Sequence, residues 1–313
     1  MMRIFGAALL ATAMLGASPS VARDDPAAPF LGRWDVALQT PQRTWASWFD
    51  IERDGDGVKV RMVGRWGHAR WLPGARIANG HIQFTSPKAD ENSSDDLLFD
   101  GARSGDALVG STTGNGAETW TWRAVRAPSL ARARAPHWGA PIQLFDGHDL
   151  EGWTLLDPAH PSWQVNDGVM VSAGSGSELR TDATFTDFKL HLEYKNGPGG
   201  NSGVYLRGRY EVQIENDNPP QPPSMRTAGV YGFLAPTPEP ARTTDVWHTY
   251  DITLVGRRIT VIYDGALVID RQEIPGVTGG ALDADEGSPG PLMLQGSENG
   301  HLEFRNIVLT PAQ

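Results

Sequence analysis

From residue 25 onward, apolar and polar residues alternate in short runs bounded by glycine, asparagine and aspartate, and a 3.6-residue period is nearly absent. That pattern predicts an all-β protein. In the first half, RWDVALQT, SWFDIERD, VKVRMVGRW, HIQFTS, DLLFDGA, ALVGSTT and TWTWRAV read as strands, with turns at Asp54 to Gly57, Asn79-Gly80 and Asn115-Gly116. They predict a small antiparallel β meander or lipocalin-like barrel over residues 25–126, entered through Phe30, Gly32 and Trp34. The proline-, alanine- and arginine-rich segment at residues 127–139 has no period and reads as a linker. Beyond it, FKLHLEY, GVYLRG, YEVQIE, TYDITLV, ITVIYD, ALVID, PLMLQG and HLEFRNIVL suit a two-sheet jelly roll over residues 140–313, which is expected to fold as a separate unit.

One run stands apart from the others. In YEVQIE, Val212 and Ile214 form an apolar face, so Glu211, Gln213 and Glu215 share the opposite face. A wet face of an antiparallel sheet produces the same alternation. The neighbouring strands, however, add long polar donors rather than lysines: Tyr205 and Arg207 oppose Val204 and Leu206, His191 and Glu193 oppose Leu190 and Leu192, and Met293 and Gln295 oppose Leu292 and Leu294. The expectation is a concave groove that collects Glu193, Arg207, Glu211, Gln213 and Gln295.

Composition narrows the classes of function. The segment MMRIFGAALLATAMLGASPSVA, with Arg3 before an apolar run and Ser20 and Ala22 before a cleavage point, predicts a signal peptide over residues 1–22 and a periplasmic or secreted protein. No later stretch is apolar and long enough for a membrane span. The absence of cysteine excludes disulfides, thiolate metal sites and cysteine nucleophiles. The formal charge is −10, or −11 without Arg3 (26 basic against 37 acidic residues), which opposes nucleic-acid binding. The 11 tryptophans and 36 glycines suit a sugar-handling β protein, although Trp153, Trp163 and Trp247 read as core or edge residues before sugar platforms. The loop ALDADEGSPG, with Asp283, Asp285 and Glu286, reads as a solvated acidic loop before a calcium site, and the histidines show no zinc-type pairing.

FDGHDLEGW, NSGVYLR, YEVQIE followed by Asp217, VWHTYDI and LEFRNI, in this order, resemble the 3-keto-disaccharide hydrolase domain family over about residues 140 to 311. The resemblance implies a concanavalin A-like jelly roll related to laminarinase-type glucanases, and a small-molecule substrate oxidised at carbon 3. Residues 25–126 lie outside it. Laminarinase-type enzymes carry Glu-x-Asp-x-Glu on one strand; here Glu211, Gln213 and Glu215 resemble that pattern with an amide in place of the middle acid, which removes a charge. Retaining chemistry needs carboxyl groups about 5 to 5.5 Å apart, closer than regular strand geometry brings them. A 3-keto sugar needs instead a base for the acidified hydrogen on carbon 2, a cation or metal for the enolate and a proton donor for the leaving group. On this reading Glu211 or Glu193 is the base, Arg207 the enolate stabiliser and His248 the acid. Gln213, Tyr205, Asn201, Gln295 and Glu215 bind substrate, and the sequence leaves open whether a divalent ion, held by Glu211, Asp217 and the keto sugar, takes part. Two other readings stay open: a lectin-like binding protein without catalysis, and a retaining β-glucanase using Glu211 and Glu215.

Overall fold

The computed structural model describes residues 25–113, 116, 118–174, 176–215, 221–298 and 300–313; the proposed signal peptide, Asn115 and Asp217 lie outside the described residues. Nine strands follow one another in the first half: β1 (Gly32–Gln39), β2 (Thr44–Asp54), β3 (Gly57–Val63), β4 (Arg70–Leu72), β5 (Arg76–Ala78), β6 (His81–Ser86), β7 (Leu97–Ser104), β8 (Ala107–Thr113) and β9 (Thr119–Arg126). They pair in the order β4-β3-β2-β1-β9-β8-β7-β6-β5, and the sheet curls until β3 lies beside β5 and β4 beside β6. Apolar alternation closes this barrel around Trp34, Phe49, Phe84, Phe99 and Trp122. The rings pack edge-on or stacked, as aromatic quadrupoles favour; Phe84 and Phe99 stack at 5.0 Å. Gly110 is required by this packing, because a β-carbon there would lie 2.3 Å from the Trp122 ring. A helical turn, α1 (Lys88–Glu91), interrupts the meander and was not foreshadowed by any period.

The second half holds β10 (Ile142–Gln143), β11 (Trp153–Leu155), β12 (Trp163–Asn166), β13 (Val169–Ala173), β14 (Leu179–Thr181), β15 (Phe188–Asn196), β16 (Asn201–Leu206), β17 (Tyr210–Glu215), β18 (His248–Val255), β19 (Arg258–Tyr263), β20 (Ala266–Glu273), β21 (Met293–Leu294) and β22 (His301–Pro311). Two sheets form, one ordered β12-β13-β22-β15-β18-β19-β20 with β10 paired to β22, the other ordered β11-β14-β21-β16-β17. Their inner faces meet in one apolar core: Leu190, Leu192 and Tyr194 from β15 against Val204 and Leu206 from β16 and Val212 and Ile214 from β17. This is the all-β jelly roll that the alternation predicts.

The two halves are joined by more than a tether. Trp48, Val63 and Ala69 of the barrel pack on Val277 of the jelly roll in a third apolar cluster. The linker is pinned as well, since the Pro128 carbonyl accepts a hydrogen bond from Arg257 Nη1 at 2.9 Å. Beside it lies a buried ionic cluster. Glu286 is fully buried, accepts from Arg257 Nε (3.0 Å), Arg257 Nη2 (2.7 Å) and the Tyr210 hydroxyl (2.5 Å), and faces Asp35 of β1. Burial, then the hydrogen bond and charge of Glu286, push the Asp35 carboxyl far up. Burial would raise Glu286 too, but Arg257 and the Asp35 hydrogen bond hold it below the usual carboxylate range. The proton of the pair therefore resides on Asp35. The acidic loop is thus not the solvated one expected: Glu286 is its anchor at the domain junction, and Asp283 accepts from Arg209 Nε at 2.7 Å. A fragment of residues 140–313 would lose Asp35, the Pro128 carbonyl and the Trp48, Val63 and Ala69 side of the third apolar cluster.

Candidate active site

The polar face of YEVQIE is not a wet face. Glu211 and Gln213 are each 4% exposed and Glu215 is 2% exposed. Their strand is an edge of the smaller sheet, and its free side is covered in the way edge strands commonly are. Gln213 N donates to Gly229 O (2.9 Å), Tyr231 N to Glu211 O (3.0 Å), Glu211 N to Thr278 Oγ1 (3.0 Å) and Glu215 N to Thr227 Oγ1 (3.0 Å). The segments around Thr227–Tyr231 and Thr278–Gly280 thereby wall the strand, and the outer face of the smaller sheet becomes a groove.

Glu211 lies across this groove. Its carboxylate rests on Gly203 of β16, where a β-carbon would sit 2.2 Å from Glu211 Oε1, so the glycine is a condition for the side chain's position. Burial raises its pKa from 4.5 to about 8; the Tyr205 hydroxyl tempers that rise and the charge of Glu298 adds to it. Tyr205, directly opposite Glu211 in the β16–β17 ladder, donates its hydroxyl to Gly279 O at 3.0 Å. Tyr231 is pushed up to about 12 by burial and by the charges of Glu211, Glu298 and Glu215, which places it among the same carboxylates. Arg242 Nη1 stands 3.8 Å from Glu215 Oε2.

The far wall is an amide pair. Asn201 Nδ2 donates to Glu298 Oε2 (2.7 Å) and Gln295 Nε2 to Glu298 Oε1 (3.0 Å). That leaves Asn201 Oδ1 and Gln295 Oε1 buried and without a hydrogen-bond partner among the described residues. Two oriented, unsatisfied acceptors beside a perturbed carboxyl are what a polyhydroxylated ligand would fill. The structure thus brings together Asn201, Tyr205, Glu211, Gln213, Glu215 and Gln295.

Three expected members lie elsewhere. Glu193 belongs to β15 of the larger sheet, and since its neighbours Leu192 and Tyr194 enter the core, it faces out on the opposite side of the sandwich. Burial alone would raise it, but hydrogen bonds from Asn306 (2.6 Å) and Arg305 (2.7 Å) hold it below the usual range. Arg207 is not on the strand at all: it occupies the β16–β17 turn with φ of 54°, and its guanidinium turns to the Tyr210 hydroxyl (2.7 Å) and the Glu286 carbonyl (3.3 Å). It supports the domain junction instead of an enolate. His248 stacks on Tyr263 in the larger sheet, and both its ring nitrogens face acceptors, Asp264 Oδ2 at 2.6 Å and Thr243 O at 2.9 Å. Both nitrogens are thereby engaged within the larger sheet and its flanking loops.

Sequence reasoning missed Tyr231, Glu298 and the Thr278–Gly280 wall. Tyr231 lies in a covering loop with no period to read, and only the nearness of Glu298 to Gln295 along the chain was a usable signal. Among the described residues, no group of three or more His, Asp or Glu side chains is placed to hold a metal ion. Asp217, the other residue expected to bind one, lies outside the described residues.

Comparison with known proteins covers the same half of the chain. The profile of the 3-keto-alpha-glucoside-1,2-lyase-like domain matches residues 140–310. A 3-keto-disaccharide hydrolase of Bacteroides thetaiotaomicron is 24% identical over 165 residues, 41% of this chain and 54% of that protein, so the chain spans about half the length of this curated relative. Among solved structures, a Parabacteroides distasonis protein assigned as a glycosyl hydrolase is 25% identical with a TM-score of 0.47, covering 58% of this chain and 93% of that one. A Bacillus licheniformis β-glucanase is 14% identical with a TM-score of 0.35, covering 58% of this chain and 100% of that one. With its profile matched over more than half of the chain, the protein belongs to the 3-keto-alpha-glucoside-1,2-lyase-like domain family.

Proposed function

We propose that the protein is an exported enzyme, periplasmic or secreted, that cleaves the glycosidic bond of sugars oxidised at carbon 3. The observation that carries this reading is Glu211: a carboxyl buried in a groove of unsatisfied polar acceptors, with its pKa moved to about 8, is suited to exchanging a proton near neutral pH. Its carboxylate takes the hydrogen on carbon 2 as a proton, and the electrons of that bond enter the enolate spanning carbons 2 and 3. The enolate then forms a double bond between carbons 1 and 2 as the bond from carbon 1 to the glycosidic oxygen breaks. That oxygen leaves with the proton from Glu211 or one from water. Addition of water, hydroxyl to carbon 1 and hydrogen to carbon 2, completes a net hydrolysis. Tyr231, a half-buried phenol within reach of the charge of Glu211, is the donor for the enolate oxygen, since the Tyr205 hydroxyl gives its proton to Gly279 O and Arg207 is turned away.

The retaining-glucanase reading fits less well. The position between the two carboxyls is Gln213, an amide that cannot carry the charge with which the middle acid of the Glu-x-Asp-x-Glu pattern tunes its neighbours. The test is to incubate the purified protein with a 3-keto-glucoside and with its unoxidised parent, each with and without a chelator. Cleavage confined to the keto sugar is expected. Comparable cleavage of both would favour the glucanase, and cleavage of neither would sink both enzymatic readings in favour of a binding protein. Loss of the keto-specific activity in chelator would assign a metal to the enolate.

A further inference from the structure

The barrel reaches the groove through one short loop. Between β3 and β4 the chain reads GRWGHA, Gly64 to Ala69. Arg65 O accepts a hydrogen bond from Gly280 N at 3.3 Å, and Gly67 lies so close to Gly279 that a β-carbon at 279 would meet its carbonyl oxygen at 2.2 Å. The same Gly279 carbonyl receives the Tyr205 hydroxyl, and a β-carbon on Gly280 would lie 2.6 Å from that hydroxyl. The barrel loop and the groove therefore share the Gly279-Gly280 wall. Charge links them a second time: Glu178, at the head of β14, acts electrostatically on both Tyr205 in the groove and Arg43 of the barrel.

At this rim stands an aromatic group that folding does not require in full. The Arg43 guanidinium lies over the Trp45 ring at 3.4 Å, Trp45 meets Trp66 edge-on at 5.0 Å, and Arg65 lies 4.4 Å from the Trp66 centroid. Trp66 belongs to none of the apolar clusters, while Trp48, Val63, Ala69 and Val277 already cover the junction. Trp45 and Trp66 are half-buried and Arg43 is exposed. Half-open indoles, one of them stacked under the exposed Arg43 guanidinium, offer a pyranose both an apolar ring surface for its C–H face and, from Arg43, donors for its hydroxyls.

We propose that Arg43, Trp45 and Trp66 form a subsite for the second sugar ring of a disaccharide, across the glycosidic bond from the ring held by Glu211. The first domain is then part of the active site and sets the preference for a sugar leaving group. This rests on the reading that the groove takes glycosides, so the test measures binding apart from turnover. A glucosyl-glucose disaccharide and methyl glucoside, each in unoxidised and 3-keto form, are titrated calorimetrically into the full chain carrying Glu211→Gln, and into the same chain with Trp66→Ala, Trp66→Phe or Arg43→Ala added. The disaccharide is expected to bind at least tenfold more tightly than methyl glucoside. That advantage should vanish with Trp66→Ala, shrink with the exposed Arg43→Ala and survive Trp66→Phe. Equal affinity for the two ligands before the added substitutions, or an undiminished advantage in both Trp66→Ala and Arg43→Ala, would overturn the subsite. Failure of the wild-type chain to cleave keto sugars while the advantage persists would overturn the chemistry and leave the subsite standing.

Discussion

Glu211→Gln is expected to keep the fold while lowering turnover of a 3-keto-glycoside by at least about a hundredfold, the usual cost of losing an acid–base group. The amide has nearly the same volume, so Gly203 and Tyr205 accommodate it, and the loss reports chemistry rather than packing. Glu215→Gln is expected to cost much less, because Glu215 lies toward Arg242 at the far end of the strand. In the parent, kcat/KM should rise with pH through about 8, where the base becomes free. Stability should move the other way. The folded-state pKa of Glu211 is raised from 4.5 to about 8, so its contribution is fully present below pH 4.5 and is lost as pH climbs through 8. The uncharged amide escapes that loss, and Glu211→Gln should melt higher than the parent by roughly 5 °C above pH 8, with the gap closing toward pH 4.5. Calorimetric scans across this range, paired with initial rates, check both signs; a variant with full activity would remove the strand from the mechanism.

Arg257→Ala is expected to be the most destabilising single change at the domain junction, costing about 3 to 5 kcal/mol, since it strips a fully buried Glu286 of its bidentate cation. Tyr210 and Asp35 remain, but neither is positively charged. Asp35→Asn should cost less than about 1 kcal/mol at neutral pH. Asp35 is already neutral there, and an amide can donate to Glu286 in its place. Denaturant unfolding of the two variants distinguishes this arrangement from two independent charges: comparable large losses for both would contradict a proton held on Asp35.

What could be read in advance was the face on which each side chain sits. Alternation placed Tyr205, Glu211, Gln213 and Glu215 correctly on the outside of their strands, and Gln295 just past the end of β21, because a two-residue period needs no tertiary information. It could not say which sheet a strand joins. His191 and Glu193 alternate just as convincingly in β15, but that strand pairs with β18 and β22, and its outer face is on the far side of the sandwich. Arg207 failed for a local reason: the turn begins one residue before Gly208, and a left-handed backbone there takes the side chain off the strand's alternation. His248 gave no sign that Tyr194, Tyr250 and Tyr263 would enclose its strand in an aromatic layer. Strands β11 and β14 hold only three residues each, too few for a period, although β14 joins β11 to the sheet that bears the groove. Glu286 read as solvated because its partners are distant in sequence, Asp35 on β1 of the first half and Arg257 in the β18–β19 turn of the second.

The most direct measurement follows the hydrogen on carbon 2. A 3-keto-glucoside carrying deuterium at that carbon is given to the enzyme for a time short enough that an enzyme-free control keeps its label, and the product is examined by mass spectrometry. If Glu211 removes that hydrogen, the product has lost the deuterium, the reaction shows a primary isotope effect, and Glu211→Gln leaves the substrate labelled and uncleaved. Product that retains its deuterium, formed at the same rate as from unlabelled substrate, would contradict proton abstraction at carbon 2 and with it the role assigned to Glu211.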